Sequence, residues 1–288
     1  QQLFPHPEWQ AALESPRAID LEEITQLWQA YPIDDDASFK KAARQLRQQA
    51  MLRIYCRDLA GLADMFEVVA SVSALADFII QQANAFYHAQ LSTVYGDPIG
   101  EDSQEVQQLM VVGMGKLGGK ELNVSSDIDL VFLYPEEGQT TGERKQISNH
   151  EFFVLLGKRI ISAINDITED GFVFRVDMML RPHGSSGPLA CSFAAFEHYL
   201  ITQARMWERY AWIKGRAITG KPADIADMNT VVMPFIFRKY LDYSAYAAMR
   251  ELHMQIKQDV QRRDMADNIK LGSGGIREVE FIAQVFQV

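Results

Sequence analysis

The sequence predicts an α+β fold, a small sheet embedded in a mostly helical chain, and three observations carry that prediction. Helical periodicity runs over residues 36 to about 95. Two short apolar runs, 109–112 and 128–134, read as strands, and helical patterning returns after Pro188. Of the 288 residues, 48% are hydrophobic and 23% charged, the balance of a globular chain with a core of its own. That composition excludes disorder, collagen and a simple coiled coil.

In the first helical block Phe39, Ala43, Leu46, Ala50 and Ile54 recur at helical spacing, with Asp36 placed to cap the first turn. Gly61 marks a turn into further helix through Phe78, Ile79 and Phe86, and Gly96-Asp97-Pro98 ends the block. Between the strand at 128–134 and a third one expected over 172–180 lies a helix, 151 to about 167. Phe152, Leu155, Leu156, Arg159, Ile160 and Ala163 share one side of it, and Ser148 with Glu151 forms a capping box at its start. Helices are then expected over 193–218, over 240–263 and from 276 onward.

With 28 Lys and Arg against 38 Asp and Glu, the net charge is −10, which opposes binding of a nucleic-acid backbone or an anionic membrane. No nucleic acid and no membrane is therefore expected as a partner. Cys56 and Cys191 are far apart and form no metal-type pair, as in a reducing compartment, so a cytoplasmic location is expected. The best apolar stretch, 68–76, lies between Glu67 and Asp77 and is too short to cross a bilayer. The chain starts without methionine and stops within an apolar run, 280–286, which reads as a piece of a longer protein.

Gly113, Gly115 and Gly118 satisfy the G-x-G-x-x-G dinucleotide pattern, but only residues 119–126 separate them from the next strand. That leaves room for about two helical turns, too little for the crossover helix of a dinucleotide-binding unit. A phosphate loop of the G-K-[ST] kind fails too, because Leu117 follows Lys116.

The carboxylates carry more. Asp127 and Asp129 flank Ile128, so on a strand they share a face, roughly 6.6 Å apart. Two carboxylates this close repel: as a lone D-x-D they read first as solvated surface acids, and a divalent cation is the other way to remove the conflict. On the third strand, alternation sets Phe172, Phe174, Val176 and Met178 on one face and Val173, Arg175, Asp177, Met179 and Arg181 on the other. Asp177 is then either a structural ion-pair partner of those arginines or the third member of a cradle with Asp127 and Asp129. In the second case the three acids hold two Mg²⁺ ions, and Arg175 and Arg181 neutralise phosphate oxygens.

The run Gly113-Met114-Gly115-Lys116-Leu117-Gly118-Gly119-Lys120-Glu121-Leu122-Asn123-Val124-Ser125-Ser126-Asp127-Ile128-Asp129-Leu130 resembles the polymerase-β-type nucleotidyltransferases. More narrowly, it resembles the family of bifunctional glutamine synthetase adenylyltransferase/adenylyl-removing enzymes. Gly184-Ser185-Ser186-Gly187-Pro188-Leu189, Trp207-Glu208-Arg209-Tyr210-Ala211 and Gly272-Ser273-Gly274-Gly275-Ile276-Arg277-Glu278 are similar to its N-terminal, adenylyl-removing half. The adding half is expected to carry Thr-Asp where Arg277-Glu278 stands.

The resemblance implies a small mixed sheet of nucleotidyltransferase type, with a helical region over 1–96, a catalytic core over 97–220 and a second helical region over 221–288. It implies removal of AMP from the adenylylated tyrosine of glutamine synthetase by phosphorolysis, releasing ADP. Asp127, Asp129 and Asp177 would be the catalytic, metal-holding residues. Gly118, Gly119, Lys120, Ser126, Arg175, Arg181, Lys214 and Arg216 would contact nucleotide or phosphate, the last two from one helix with Trp207 and Glu208. Besides phosphate and ADP, the implied partners are the adenylylated synthetase and a PII signal protein in its uridylylated form, with glutamine as a further control. The alternatives are the AMP-adding half-reaction and a silent nucleotide-sensing module. Met179 stands where the family usually has arginine, and the gap from Gly118-Gly119 to Asp127 is shorter than in most of the superfamily. Arg277, Glu278 and Glu280 are placed equally for structural pairing and site contact, and His183 reads as a loop histidine.

Overall fold

The computed structural model describes residues 17–237, 254, 269, 274–285 and 287. They fall into two compact units, one reaching to Ala194 and including Gly215–Lys221, the other formed by Ala195–Lys214 and the chain from Pro222.

The first unit opens with α1 (Leu21–Gln29), α2 (Asp36–Leu59) and α3 (Met65–Tyr95). Asp20, Asp35 and Asp64 cap them, each carboxylate accepting an orphan N–H of the first turn. The cap of α2 is thus Asp35 and not Asp36. Asp35 is extended, so its carboxylate reaches Ser38 N at 2.8 Å while Ser38 Oγ accepts the Asp35 N–H. Asp36 is already helical and accepts instead from Tyr87 Oη at 2.8 Å. Gly61 makes the expected turn at φ +69°, and Gly96, at φ +77°, ends α3. Trp28, Phe39, Phe78, Phe86 and Tyr87 lock the three helices, with Phe39 stacked on Phe86 at 4.9 Å.

By length and composition α3 is apolar enough to cross a membrane, which the 68–76 run alone does not reveal. Its Val72, Leu75, Ile79, Ala83 and Tyr87 are, however, fully buried within this unit as core.

The main sheet contains β2 (Met110–Met114), β3 (Ile128–Tyr134), β5 (Val176–Asp177), β6 (Ala190–Ser192) and β7 (Arg216–Ala217). A separate antiparallel pair joins β1 (Pro98–Gly100) to β4 (Gly138–Thr140). The main sheet is mixed: β2 runs antiparallel to β3 and β7, whereas β5 and β6 run parallel to β3 along its other edge. The helix α5 (Asn149–Asn165) covers the face of Ile128, Leu130 and Phe132, its Gly157 so close that a Cβ there would meet the Phe132 ring at 2.7 Å. Ser148 caps α5 by accepting Glu151 N at 3.1 Å, which is one half of the expected capping box; Glu151 does not return a bond to the Ser148 N–H.

The strand expected over 172–180 shrinks to two residues. Val173 and Phe174 both donate their N–H to Ile164 O and both are buried, an arrangement no alternating strand allows. After Asp177 the chain turns back, Arg181 N donating to Met178 O at 3.3 Å. The helix expected over 193–218 is likewise divided, into α6 (Phe193–Thr202), α7 (Met206–Ile213) and β7. Arg205 N donates to Glu208 Oε1 at 3.0 Å, which starts a new helix, and Lys214-Gly215 ends it.

In the second unit, buried Glu208 also accepts from Tyr199 Oη, and buried Arg209 donates to the carbonyls of Phe235 and Ile236 at the end of α8 (Pro222–Ile236). The expected helix over 240–263 lies outside the described residues apart from Met254. The last helix, α9 (Ile276–Val285), begins where expected.

Candidate active site

The strand β2 delivers the chain into a one-turn helix, α4 (Gly115–Gly118), directly beside β3. Met114 is the register partner of Asp129. Gly115 takes φ +55°, and a Cβ there would lie 3.1 Å from Asp129 Oδ2, so the carboxylate rests against bare backbone. At Gly113 a Cβ would meet Ile218 Cδ1 at 2.9 Å and Leu117 Cγ at 3.1 Å. A Cβ at either of these two glycines of the rejected dinucleotide pattern would crowd side chains at the site, and at Gly115 the positive φ favours glycine as well. The rejection itself holds: β2 and β3 are antiparallel and joined by one helical turn, with no crossover helix between them.

Across β3, Asp129 and Asp177 are register partners on parallel strands, and Ile128 N donates to Arg175 O at 2.9 Å. Asp177 Oδ1 accepts the Met179 N–H at 2.7 Å. Asp127 is exposed just ahead of β3, and its Oδ1 pairs with Arg175 Nε at 2.5 Å, while Arg175 Nη2 donates to Ser125 O. Both partners are more than half exposed. Asp129 and Asp177 are thus neighbours across the ladder, whereas Asp127 is paired with Arg175. Among the described residues no three acidic, histidine or cysteine side chains converge as a preformed metal cage. The donor chemistry of Asp129 and Asp177, hard oxygens on adjoining strands, fits a divalent cation such as Mg²⁺, and Asp127 would join them on releasing Arg175.

The other expected contacts divide in the same way. Gly119 N donates to Gly115 O at 3.0 Å, so this amide is already engaged. Lys120 is exposed at φ +57°. Ser126 Oγ donates to Asn123 Oδ1 at 2.7 Å and accepts from Lys116 Nζ at 3.2 Å, which brings in a lysine the sequence reading had passed over. Arg181 donates to Met178 O at 2.7 Å and to Gly187 O at 3.4 Å, so its guanidinium holds its own loop. Arg216 is bound to Asp77 Oδ1, Leu117 O and Gly118 O.

Arg216 does not share a helix with Trp207 and Glu208. Arg216 lies in β7, and Lys214, in the second unit, ends α7 with its Nζ 3.6 Å from Glu280 Oε1. Glu278 accepts the Gly274 N–H at 2.7 Å, so the described acids at the start of α9 make structural contacts. The side chain of Arg277, and Gly272 and Ser273, lie outside the description. His183 sits in a loop at φ +62°, and Met179 is exposed.

Three positioning side chains were missed: Ser73, Asp77 and Asn165. Asn165 Oδ1 accepts the Val176 N–H at 3.0 Å and so holds β5 from the end of α5. The available signal was the pair Ser73 and Asp77, four apart within the largely apolar stretch 68–80.

A short helical turn leading out of an antiparallel strand, beside aspartates in register on two neighbouring parallel strands, is the arrangement of a nucleotidyltransferase-type fold. Residues 3–230 match the model of the glutamate-ammonia ligase adenylyltransferase family, and the chain belongs to that family. Residues 250–288 match a PII-uridylyltransferase model. The chain is 62% identical over 256 residues to the bifunctional glutamine synthetase adenylyltransferase/adenylyl-removing enzyme of Chromobacterium violaceum, covering 89% of this chain and 28% of that protein. The enzyme of the same name from Nitrosomonas europaea is 55% identical over 262 residues, with 90% and 28% covered. That of Neisseria meningitidis serogroup B is 53% identical over 255 residues, with 88% and 28% covered. The chain spans 28% of the length of these relatives.

Proposed function

We propose that this chain removes AMP from the adenylylated tyrosine of glutamine synthetase by phosphorolysis, releasing ADP. The observation that carries the reading is the register pairing of Asp129 with Asp177 beside the glycine turn, in a chain of the adenylyltransferase family. The choice of half-reaction is supported by the sequence stretches similar to the adenylyl-removing half, Arg277-Glu278 among them. An oxygen of inorganic phosphate forms the new bond to phosphorus as the bond to the tyrosine oxygen breaks. The products are ADP and a phenolate, which takes a proton from water. With a phenol pKa of about 10, tyrosine leaves readily, and phosphate arrives already anionic, so no strong protein base is required.

Asp129 and Asp177, joined by Asp127, would hold the divalent cation, which when bound neutralises charge on the reacting phosphate oxygens. Lys116, Lys120 and Ser126, at the mouth of the turn, bind and orient the nucleotide phosphate in this reading, and Arg175 exchanges Asp127 for an incoming anion. Control by glutamine and by a uridylylated PII protein belongs to the same proposal, as does a cytoplasmic location.

The test is to incubate the protein with adenylylated glutamine synthetase, Mg²⁺ and phosphate and to measure ADP. ADP release dependent on phosphate is the expected result. AMP transfer from ATP to the unmodified synthetase, without ADP release in the first assay, would assign the opposite half-reaction.

A further inference from the structure

We propose that Asp77 is a positioning residue for the candidate active site, acting through Arg216 to fix the turn formed by residues 115–120; the proposal deepens the functional reading above and rests on it. Asp77 lies on the buried side of α3, with its side chain only 18% exposed. An acid on an apolar helix is costly to bury unless it is paired. Burial does push its carboxyl upward, and Arg216 and Lys120 oppose that shift.

Arg216 supplies the pairing and does more. It stands opposite Gly113 in β7. Its Nη2 donates to Asp77 Oδ1 and to Leu117 O, both at 2.9 Å, and its Nε donates to Gly118 O at 3.1 Å. These carbonyls lie at the end of a four-residue helix, where no i→i+4 backbone bond reaches them.

The remaining hydrogen bonds of the turn use its own backbone. Gly119 N reaches Gly115 O at 3.0 Å, Lys120 N reaches Leu117 O at 3.1 Å, and Glu121 N reaches Lys116 O at 2.7 Å. One helical turn before Asp77, Ser73 Oγ accepts the Leu122 N–H at 3.1 Å. The helix α3 thus grips both the carbonyl side of the turn and its exit, while Gly115 backs onto Asp129. A guanidinium engaged in this way is a brace for backbone and not a free phosphate ligand. Only its planar fork spans the carboxylate and two carbonyls together, and lysine cannot reproduce that.

Asp77→Asn, Arg216→Lys and the double variant of the intact protein test this by two readouts. Amide hydrogen exchange over residues 119–121 should quicken at least about tenfold in each single variant, with β3 unchanged, as expected for local loosening. In the ADP-forming assay kcat should fall about ten- to a hundredfold, the cost of misplacing groups around a reacting centre. The phosphate KM should stay within about twofold, and the double variant should match the worse single one, since the two side chains act as one device.

A raised phosphate KM in Arg216→Lys with Asp77→Asn near wild type would make Arg216 a direct ligand and overturn the proposal, as would unchanged exchange at 119–121. Should either variant fail to fold, Asp77→Glu, which displaces the same charge by one methylene, is read by the same criteria. If wild-type protein forms no ADP, the functional reading fails by itself, and the exchange experiment still decides the brace.

Discussion

The two strands that bring aspartates together are built in different ways. The strand β3 has seven residues and is paired along both edges, by β2 on one side and by β5 and β6 on the other, so the direction of Asp129 is set by the ladder itself. The strand β5 has two residues, and Asp177 owes its place to the end of a helix. There Ile164 O takes two N–H groups and Asn165 Oδ1 takes a third. Fully buried Arg44 gathers the carbonyls of Lys40, Ala163, Asp166 and Gly171. One carboxylate is thus held by the sheet and the other by a helix terminus. The pair can be disturbed from α2 and α5 without touching β2 or β3.

The largest expected effect tests whether the two acids are equal partners despite their different supports. Asp129→Asn and Asp177→Asn should each lower ADP formation by roughly a thousandfold, the scale of losing a group that stabilises transition-state charge, with urea midpoints close to wild type. A loss below tenfold in Asp177→Asn alone would show that the helix-held acid is dispensable.

Next is the helix-held side itself. Arg44→Met removes the buried guanidinium and its four hydrogen bonds to carbonyls, of which that of Gly171 keeps the Thr168 N–H, and should cost about 3 kcal/mol of unfolding free energy in urea titrations. Exchange at 173–176 should rise well before that of β3, and equal rates in both strands would break the comparison.

A smaller effect comes from the other end of α5, where the His88 ring packs edge-on against Phe152 at 5.3 Å. Burial lowers the His88 pKa, with the charge of Asp97 partly opposing it. The unfolded chain therefore binds this proton more readily than the folded one. The contribution is complete above the unfolded value of about 6.5, and stability falls as pH drops below it. Replacing His88 with glutamine should flatten the decline in unfolding free energy between about pH 6.5 and 5 relative to wild type. Parallel curves would remove His88 from the account.

The smallest expected effect on stability belongs to Arg175→Met. Its ion pair with Asp127 is exposed on both sides and contributes under about 1 kcal/mol. Unfolding should stay within about 0.5 kcal/mol of wild type, a surface change by the usual scale. The phosphate KM should rise several-fold if Arg175 exchanges its carboxylate for the substrate anion.

Legibility in the sequence follows the same division. The helices α2 and α3, the turn at Gly61 and the cap at Ser148 were readable because periodicity and capping are local. All seven residues of β3 were readable too, since a long strand with one polar position declares itself. Asp127, Asp129 and Asp177 stood out as residue types, but the alternation drawn across 172–181 failed. That segment pairs at only two positions, and buried Val173 and Phe174 follow the carbonyl of Ile164 and not a ladder. Asp36 was displaced from the cap by one residue because Asp34, Asp35 and Asp36 are alike in sequence, and only backbone conformation chooses among them. The break at Arg205 was hidden because helical spacing continues through it, while the Glu208 cap depends on a side-chain direction.

By itself, then, the sequence determined the α+β class, the long helices and the central strand, and it offered the three acids as candidates. It also held the stretches by which the family is recognised. Only the tertiary structure decided that Asp129 and Asp177 are neighbours while Asp127 is held by Arg175. It also decided that Arg216 donates to the carbonyls of Leu117 and Gly118, and that Gly113 and Gly115 lie close against neighbouring side chains. The physical reason is range. Periodicity, caps and turns are settled within a few residues, whereas ion pairs such as Asp77–Arg216 and register pairs such as Asp129–Asp177 join residues far apart in the chain. Their partners are chosen by packing, which no local pattern records.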